Sequence, residues 1–481
     1  MTYSTKGLYI NGEWDQTGYG KGIYSPIDGR LIGTAWFGQI THLAAASAAA
    51  RNALDGEWSR WTAEDRAAAL RRLADGFHDR QQDLGAMILA EVGSPVDFAY
   101  GPQIDHPLRI INYYASVAEK YRFSESRVNG GGDAPGTIVR RLPVGAVGII
   151  TPWNMPLKTI MMKVAPALAA GCTVVIKPAE ETPFNAMVLA ELVDAAGFPP
   201  GVVNVVPAVR EDAAYLPTST YLDKIAFTGS TAVGKWIAQQ CGAGIRRYSL
   251  ELGGKSPTVL LPDADLDAWE ASVPGASLLN NGQICSNQTR ILYPRKLQTE
   301  VIRRLERVLD RQRVGDPSLP GTTMGPLITT AAVDRYHAAL RGAQLAGGTV
   351  RYAEDAVDPR RPSGGNWVTP ALVSGVGREA LIARKEVFGP VLVAMPYDNE
   401  PHAVELANDS PYGLHAGVWS HRKSAALAVA NRLRVGQIQI NGADMPLHTP
   451  LGGFKESGWG RELGPEGMTG YLETSATVAS W

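Results

Sequence analysis

Cysteine is scarce in this chain, and the few present are not arranged in pairs. The 481 residues hold 3 cysteines, Cys172, Cys241 and Cys285, which lie far apart and form no CxxC. The 8 histidines form no HExxH. These absences argue against a disulfide framework and a structural zinc site, so no metal is expected. Unpaired thiols of this number fit a reducing compartment, and the cytoplasm is the expectation. Excess charge is missing too. Lys and Arg total 46 against 47 Asp and Glu, a net charge of -1. That leaves no electrostatic footprint for nucleic acid or an anionic membrane. Long apolar runs are also lacking. The longest, Val164 to Ile176, is interrupted by Pro166 and Gly171 and is too short to span a bilayer. The first residues, MTYSTKGLYINGEW, show no basic region leading into an apolar core, so no secretory signal is expected.

What is present is a chain long enough for two or three domains, with 45% hydrophobic and 19% charged residues. Up to about residue 120 the pattern is a lead-in followed by helices. Leu70, Leu73 and Phe77 share one face of the run RAAALRRLADGF. Nothing in this stretch reads as chemistry. A glycine cluster follows at Gly130 to Gly132, and TIVRRL at Thr137 to Leu142 reads as an exposed strand. Strands and helices then alternate. AVGII at 146–150, TVVI at 173–176, VVNVV at 202–206 and KIAF at 224–227 read as strands. The helices expected between and after them cover 159–169, 183–196 and 230–240. Such alternation implies crossover connections and a mostly parallel sheet, with ligands beyond the carboxyl ends of the strands. Asn154, Lys177 and Gly229 fall at those ends. Further on, a helix is expected over 296–313, a loop over 354–366, a strand over 391–395, a helix over 424–432, a strand over 437–440 and a last strand over 471–478.

Several short stretches carry polar groups in positions suited to chemistry. Cys285 stands in NNGQICSNQTR, among polar residues rather than in an apolar helical stripe. That composition suggests a turn presenting the sulfur to a cleft; the competing reading is an ordinary small buried residue. GSTAVGK at 229–235 nearly matches a phosphate loop, but Trp236 cannot ligate magnesium. Its glycine turn and helix start could hold a pyrophosphate, or Ser230 or Thr231 could simply cap the helix. Lys177 and Glu180 in KPAEETP could hold sugar hydroxyls or form a surface turn. Glu251, between Leu250 and Leu252, would have a raised pKa suited to a general base, or be a salt-bridged core residue. Asn154 in TPWNMPL could donate to an oxyanion or serve a turn.

The set TPWNMPL, KPAEETP, FTGSTAVG, LELGGKSP, GQICSNQTR, EVFGP and PLGGFKESGWGRELG resembles the NAD(P)-dependent aldehyde dehydrogenase superfamily in composition and order. The likeness runs from about residue 8 to the end. It implies an α/β fold: an open parallel-sheet cofactor domain (1–120 and 143–250), an α/β catalytic domain (251–469) and a small β oligomerisation element (121–142 and 470–481), giving homodimers or homotetramers. It implies oxidation of a small-molecule aldehyde to a carboxylic acid through a thiohemiacetal and a thioester on Cys285. Asn154 and the Cys285 backbone N–H would form the oxyanion hole, and Glu251 would activate water. Lys163 and Glu462 would support that base. Lys177 and Glu180 would hold the adenosine ribose, Ser230 the pyrophosphate beside Gly229, and Glu386 the nicotinamide ribose with Phe388 nearby. Trp153 and Phe227 would line the cleft. Glu180 favours NAD over NADP. The alternatives are a CoA-acylating semialdehyde dehydrogenase, which would lack the base Glu251 supplies, and a non-catalytic protein of the same fold, against which Cys285, Glu251 and Asn154 together argue.

The chain departs from the family pattern in places. PAVRE at 207–211 replaces a glycine-rich turn and leaves the adenine side open. Gln439 stands for a common Trp. Met155, Met162 and Ile284 occupy substrate-tunnel positions, and their pliable apolar character favours a carbon-rich aldehyde over a charged one. Lys158 beside them is unusual; the expectation is that its charged end reaches solvent, the other reading being that it meets a carboxylate.

Overall fold

The structure is a computed structural model describing residues 2–127 and 136–479. The glycine cluster at 130–132 lies outside the described residues. Two large sheets carry the architecture. The first has 8 strands in the order Gly458–Trp459, Arg247–Glu251, Lys224–Thr228, Ala146–Ile150, Thr173–Lys177, Val203–Val205, Leu8–Ile10 and Glu13–Asp15. The middle five run parallel. Antiparallel strands close both edges. Ala146–Ile150 and Thr173–Lys177 are β-branched and buried along almost their whole length, as strands covered by helices on both faces must be.

The helices follow from their termini. Pro156 opens the helix Pro156–Ala170, and Gly171 ends it with φ 95°, a left-handed conformation that a side chain disfavours. Nearly every residue of this helix is buried. The helices Ala63–Asp79 and Pro102–Lys120 pack against it. The apolar stripe read from the sequence is the one buried here, since Leu70, Leu73 and Phe77 are all inaccessible. Each such side chain contributes about 1.5–3 kcal/mol on burial.

The sheet order reverses between Ala146–Ile150 and Lys224–Thr228, because successive strands are laid first to one side and then to the other. The loops beyond these two strands therefore diverge and leave a crevice at their carboxyl ends. The second sheet has 7 strands, in the order Thr349–Tyr352, Ala371–Ser374, Val391–Tyr397, Arg290–Pro294, Pro257–Leu260, His415–Trp419 and Gln437–Ile440. It is parallel except at the Thr349–Tyr352 edge. Glu251 ends a strand of the first sheet, and the second sheet begins at Pro257. Cys285 sits in a turn between the helix Leu266–Ser277 and the strand Arg290–Pro294. The first sheet takes its outermost strand, Gly458–Trp459, from late in the chain, so the chain crosses between the two sheets twice. A separate antiparallel sheet joins Leu472–Ala479, Gly136–Pro143 and Ser124–Arg127.

Candidate active site

Cys285 lies where the two sheets meet, half-buried at the end of a polar turn. Asn280 and Asn281, just before it, have φ of 52° and 62°. Asparagine tolerates that left-handed region because its side chain can bond locally. Here the side chains bond far away instead. Asn281 Nδ2 donates to Gly93 O at 3.0 Å and to Pro326 O at 2.9 Å. Asn280 Oδ1 accepts from Ser94 Oγ at 2.7 Å. Gly282, at φ 76°, packs so closely on Gly389 that a Cβ would fall 2.3 Å from its carbonyl carbon. The turn is thus held on both sides, which fixes the sulfur rather than leaving it on a mobile loop.

Asn154 is held equally firmly. Its Nδ2 donates to Gln283 O at 2.8 Å, which uses one amide hydrogen and leaves the other free. Its backbone oxygen accepts from Asn280 Nδ2 at 2.9 Å and from Gln103 Nε2 at 3.0 Å. The Cys285 backbone N–H donates to no backbone carbonyl among the described residues. One free amide hydrogen on Asn154 and one on Cys285, on segments tied to each other, are what an oxyanion hole requires. Ser94 and Gln103 come from the amino-terminal region where no chemistry was expected. They tie the segment bearing Asn154 to the turn bearing Cys285.

Glu251 is buried, and neither of its carboxylate oxygens meets a hydrogen-bond partner among the described residues. Its carboxylate rests against Gly452, where a Cβ would lie 2.9 Å from Oε1. Burial holds its proton affinity well above the usual carboxylate range; Glu462 raises it further, and Lys163 and Arg461 oppose. Lys163 and Glu462 form a buried pair at 2.5 Å, and Lys163 also donates to the Thr228 hydroxyl. The Cys285 thiol is pushed up to about 12, by burial first and then by Glu386 and Glu251, against a pull from Lys158.

On the cofactor side, Gly229 follows the strand Lys224–Thr228, and the Phe227 ring folds so tightly over it that a Cβ would fall 2.4 Å from Cζ. Ser230 caps the helix Thr231–Ala243, accepting from Val233 N at 3.4 Å. The hydroxyl proton stays available to an anion. Lys177 is buried, and its ammonium makes no hydrogen bond among the described residues. Glu386 accepts from Gly254 N at 3.1 Å, and a Cβ on Gly253 would come 2.7 Å from Oε2, so the glycine pair is what admits the carboxylate. Burial lifts Glu386 to about 7. Phe388, held at φ 56°, meets Trp153 edge-on at 5.6 Å. A helix start with open amides, an unpaired buried ammonium, two carboxylates and flanking aromatics are donors and acceptors that fit a dinucleotide.

Glu180 is more engaged than the sequence suggests. Its Oε2 accepts from Lys21 Nζ at 2.5 Å and its Oε1 from Arg210 N at 2.9 Å. The atypical PAVRE turn thereby becomes the start of a short helix, Arg210–Ala213, whose first amide Glu180 satisfies. Lys21 had no signal in the sequence, because its partner lies far along the chain.

The substrate positions divide. Met155 and Ile284 form one apolar cluster with Phe98, edged by Leu279. Met162 instead packs into the large core beneath the first sheet. Lys158 is only half exposed, and its ammonium finds no acceptor among the described residues.

The sequence matches the aldehyde dehydrogenase family over residues 15–477. The chain belongs to that family. It is 39% identical to geranial dehydrogenase of Castellaniella defragrans over 478 residues, 98% of each chain. An aldehyde dehydrogenase of Bacillus cereus, solved as its NAD+ complex, superposes with TM-score 0.94 at 34% identity, covering 99% of this chain and 97% of that one. A cysteine-to-alanine variant of aldehyde dehydrogenase C from Pseudomonas syringae, solved with NAD+ and octanal, gives TM-score 0.92 at 35% identity, covering 98% and 96%. The protein is thus an NAD(P)-dependent aldehyde dehydrogenase that converts an aldehyde to its carboxylic acid. Among the described residues, no helix is long and apolar enough to cross a membrane.

Proposed function

We propose that Cys285 is the nucleophile, Asn154 with the Cys285 N–H the oxyanion hole, and Glu251 the base. The observation that carries this is the joining of the two segments: the Asn154 amide is bonded to the carbonyl of Gln283, inside the turn that bears the cysteine. The buried thiol is protonated near neutral pH. It reacts as the thiolate, after losing that proton. Attack on the carbonyl carbon gives a thiohemiacetal whose oxygen the two free amide hydrogens receive. NAD+ or NADP+, when bound, supplies the hydride acceptor. The thioester left on Cys285 is opened by water as Glu251 takes the proton. Lys177, Glu180, Ser230 and Glu386 would hold the cofactor, NAD+ in preference, between Trp153, Phe227, Gly229 and Phe388. Met155 and Ile284 line the way to the thiol, with Met162 behind them.

We also assign 1–120 and 143–250 to the cofactor domain, 251–469 to the catalytic domain, and 121–142 with 470–481 to self-association as a dimer or tetramer. What supports the last is the separate sheet, which exposes Ile138, Leu142 and Val478; sedimentation of the intact chain checks it. Three free cysteines support a cytoplasmic setting. The test of the chemistry is NADH formation from a panel of aldehydes by wild type and Cys285→Ala. The variant should bind NAD+ and form no NADH. Ready turnover by folded Cys285→Ala would overturn the assignment.

A further inference from the structure

The wall of the substrate path is not uniformly apolar. Lys158 lies in the first turn of the helix Pro156–Ala170, three residues after its N-cap, Met155. Met155 packs with Ile284, the neighbour of Cys285. Lys158 therefore sits on the same side as the residue that flanks the thiol. The facing helix, Pro102–Lys120, presents Gln103 and, one turn later, His106. Gln103 is fixed to the Asn154 carbonyl, and His106, one turn along from it, lies within electrostatic reach of Lys158. His106 Nδ1 is buried with no partner; burial first, and then the charges of Lys158 and Arg109, push the imidazole down to about 4, so near neutral pH the ring offers a hydrogen bond rather than a charge.

The cations Lys158 and Arg109 have no counter-charge here. Among the described residues, none of Lys158, His106 and Arg109 enters an ion pair. The acidic groups Lys158 feels are Cys285 and Glu462, and Glu462 is already taken by Lys163. The first turn of a helix is also an unfavourable place for a cation, since its free amides already present positive charge. A half-buried ammonium without a partner is destabilising in itself. Its retention on the substrate path is understandable if a ligand supplies the anion.

We propose that Lys158, with a hydrogen bond from the neutral His106 ring beside it and Arg109 at the outer edge, forms an anion subsite for the far end of the aldehyde. The substrate class is then an aldehyde with a short apolar stretch, lying against Met155 and Ile284, and a terminal carboxylate. This rests on the proposed role of Cys285, because the subsite is defined by its position relative to the thiol. It replaces the expectation of a carbon-rich, uncharged aldehyde with one that is apolar near the carbonyl and charged beyond it.

The experiment compares kcat/KM for succinate semialdehyde, glutarate semialdehyde and the methyl ester of each, followed by NADH, in the intact wild-type protein. At least one acid should exceed its own ester by about tenfold or more, equivalent to about 1.4 kcal/mol, chiefly through KM. Lys158→Met should collapse that ratio, Lys158→Glu should invert it, and Lys158→Arg should preserve it. Equal efficiency with acid and ester in wild type, or an unchanged ratio in Lys158→Met, would overturn the subsite alone. Absence of NADH from all four, with NADH formed from uncharged aldehydes of the wider panel, would overturn the subsite alone; absence from the whole panel would overturn the chemistry at Cys285 and the subsite with it. The wild-type ratio needs no variant, so misfolding of a substitution does not blunt the test.

Discussion

Replacing Lys163 by methionine separates two roles of one buried ion pair. Lys163 is fully buried and Glu462 is 4% exposed, at 2.5 Å. Methionine matches the lysine stem in shape but leaves Glu462 as an uncompensated charge in the interior. Removing one member of such a pair costs about 3–5 kcal/mol. Replacing both by apolar residues costs much less, because neither charge then has to be desolvated. Lys163→Met should therefore unfold at clearly lower denaturant than wild type, and Lys163→Met/Glu462→Leu should recover most of the loss. The second role is electrostatic. Lys163 favours the ionised form of Glu251 and Glu462 disfavours it. The base must be ionised to act, so activity rises with pH through the Glu251 titration. Removing Lys163 should move that limb to higher pH; Glu462→Gln should move it lower. The assay is the pH dependence of steady-state NADH formation, under conditions where hydrolysis of the thioester limits the rate. The two shifts must have opposite sign. Shifts in one direction for both variants, or none for either, would refute Glu251 as the base in contact with this pair. The stability linkage runs in its own sense. Folded Glu251 binds its proton more tightly than the unfolded chain does. Its contribution is fully present at pH below the ordinary carboxylate pKa, and is lost as pH rises through the folded value.

Glu251→Gln should slow thioester hydrolysis more than hydride loss, so rapid mixing should show a burst of NADH and then a slow phase; a slow first turnover in a variant that still binds NAD+ would count against the role. Wild type should prefer NAD+ to NADP+ by about tenfold in kcat/KM, or roughly 1.4 kcal/mol, because a 2′-phosphate would face Glu180. Glu180→Thr should shift the ratio toward NADP+, whereas Lys21→Met should shift it toward NAD+, since Lys21 partly neutralises that carboxylate. A wild-type preference for NADP+ would mean that Glu180 does not meet the ribose.

Much of the parallel core was legible in the sequence because its signals are local. Ala146–Ile150, Thr173–Lys177, Lys224–Thr228 and Gln437–Ile440 form where β-branched runs stand between turn residues, with ends within a residue or so of expectation. The helix Pro156–Ala170 begins earlier than its apolar periodicity indicates, because Pro156 is pre-set for a first turn that the pattern of side chains does not mark. Asn280 and Asn281 stand in the motif around Cys285, and their tolerance of positive φ was a usable sign of a tight turn.

What only the tertiary structure decided is which distant groups meet. Lys163 pairs with Glu462 across 299 positions of sequence, and Lys21 with Glu180 across 159. Gln103 reaches Asn154, and Ser94 reaches Asn280. Hydrophobic periodicity tells a residue which face it occupies, but not which other face will cover it. The same limit applies to charge. Whether Glu251 is a base of raised proton affinity, or Lys158 an ammonium without a partner, depends on burial by chain far away and on acids that either arrive or do not. The sequence by itself determined most of the parallel-sheet elements, the polar turn bearing Cys285 and the class of reaction. The packing of one sheet against the other determined the protonation of the site and the character of the path leading to it, because both are set by long-range desolvation and charge rather than by neighbouring residues.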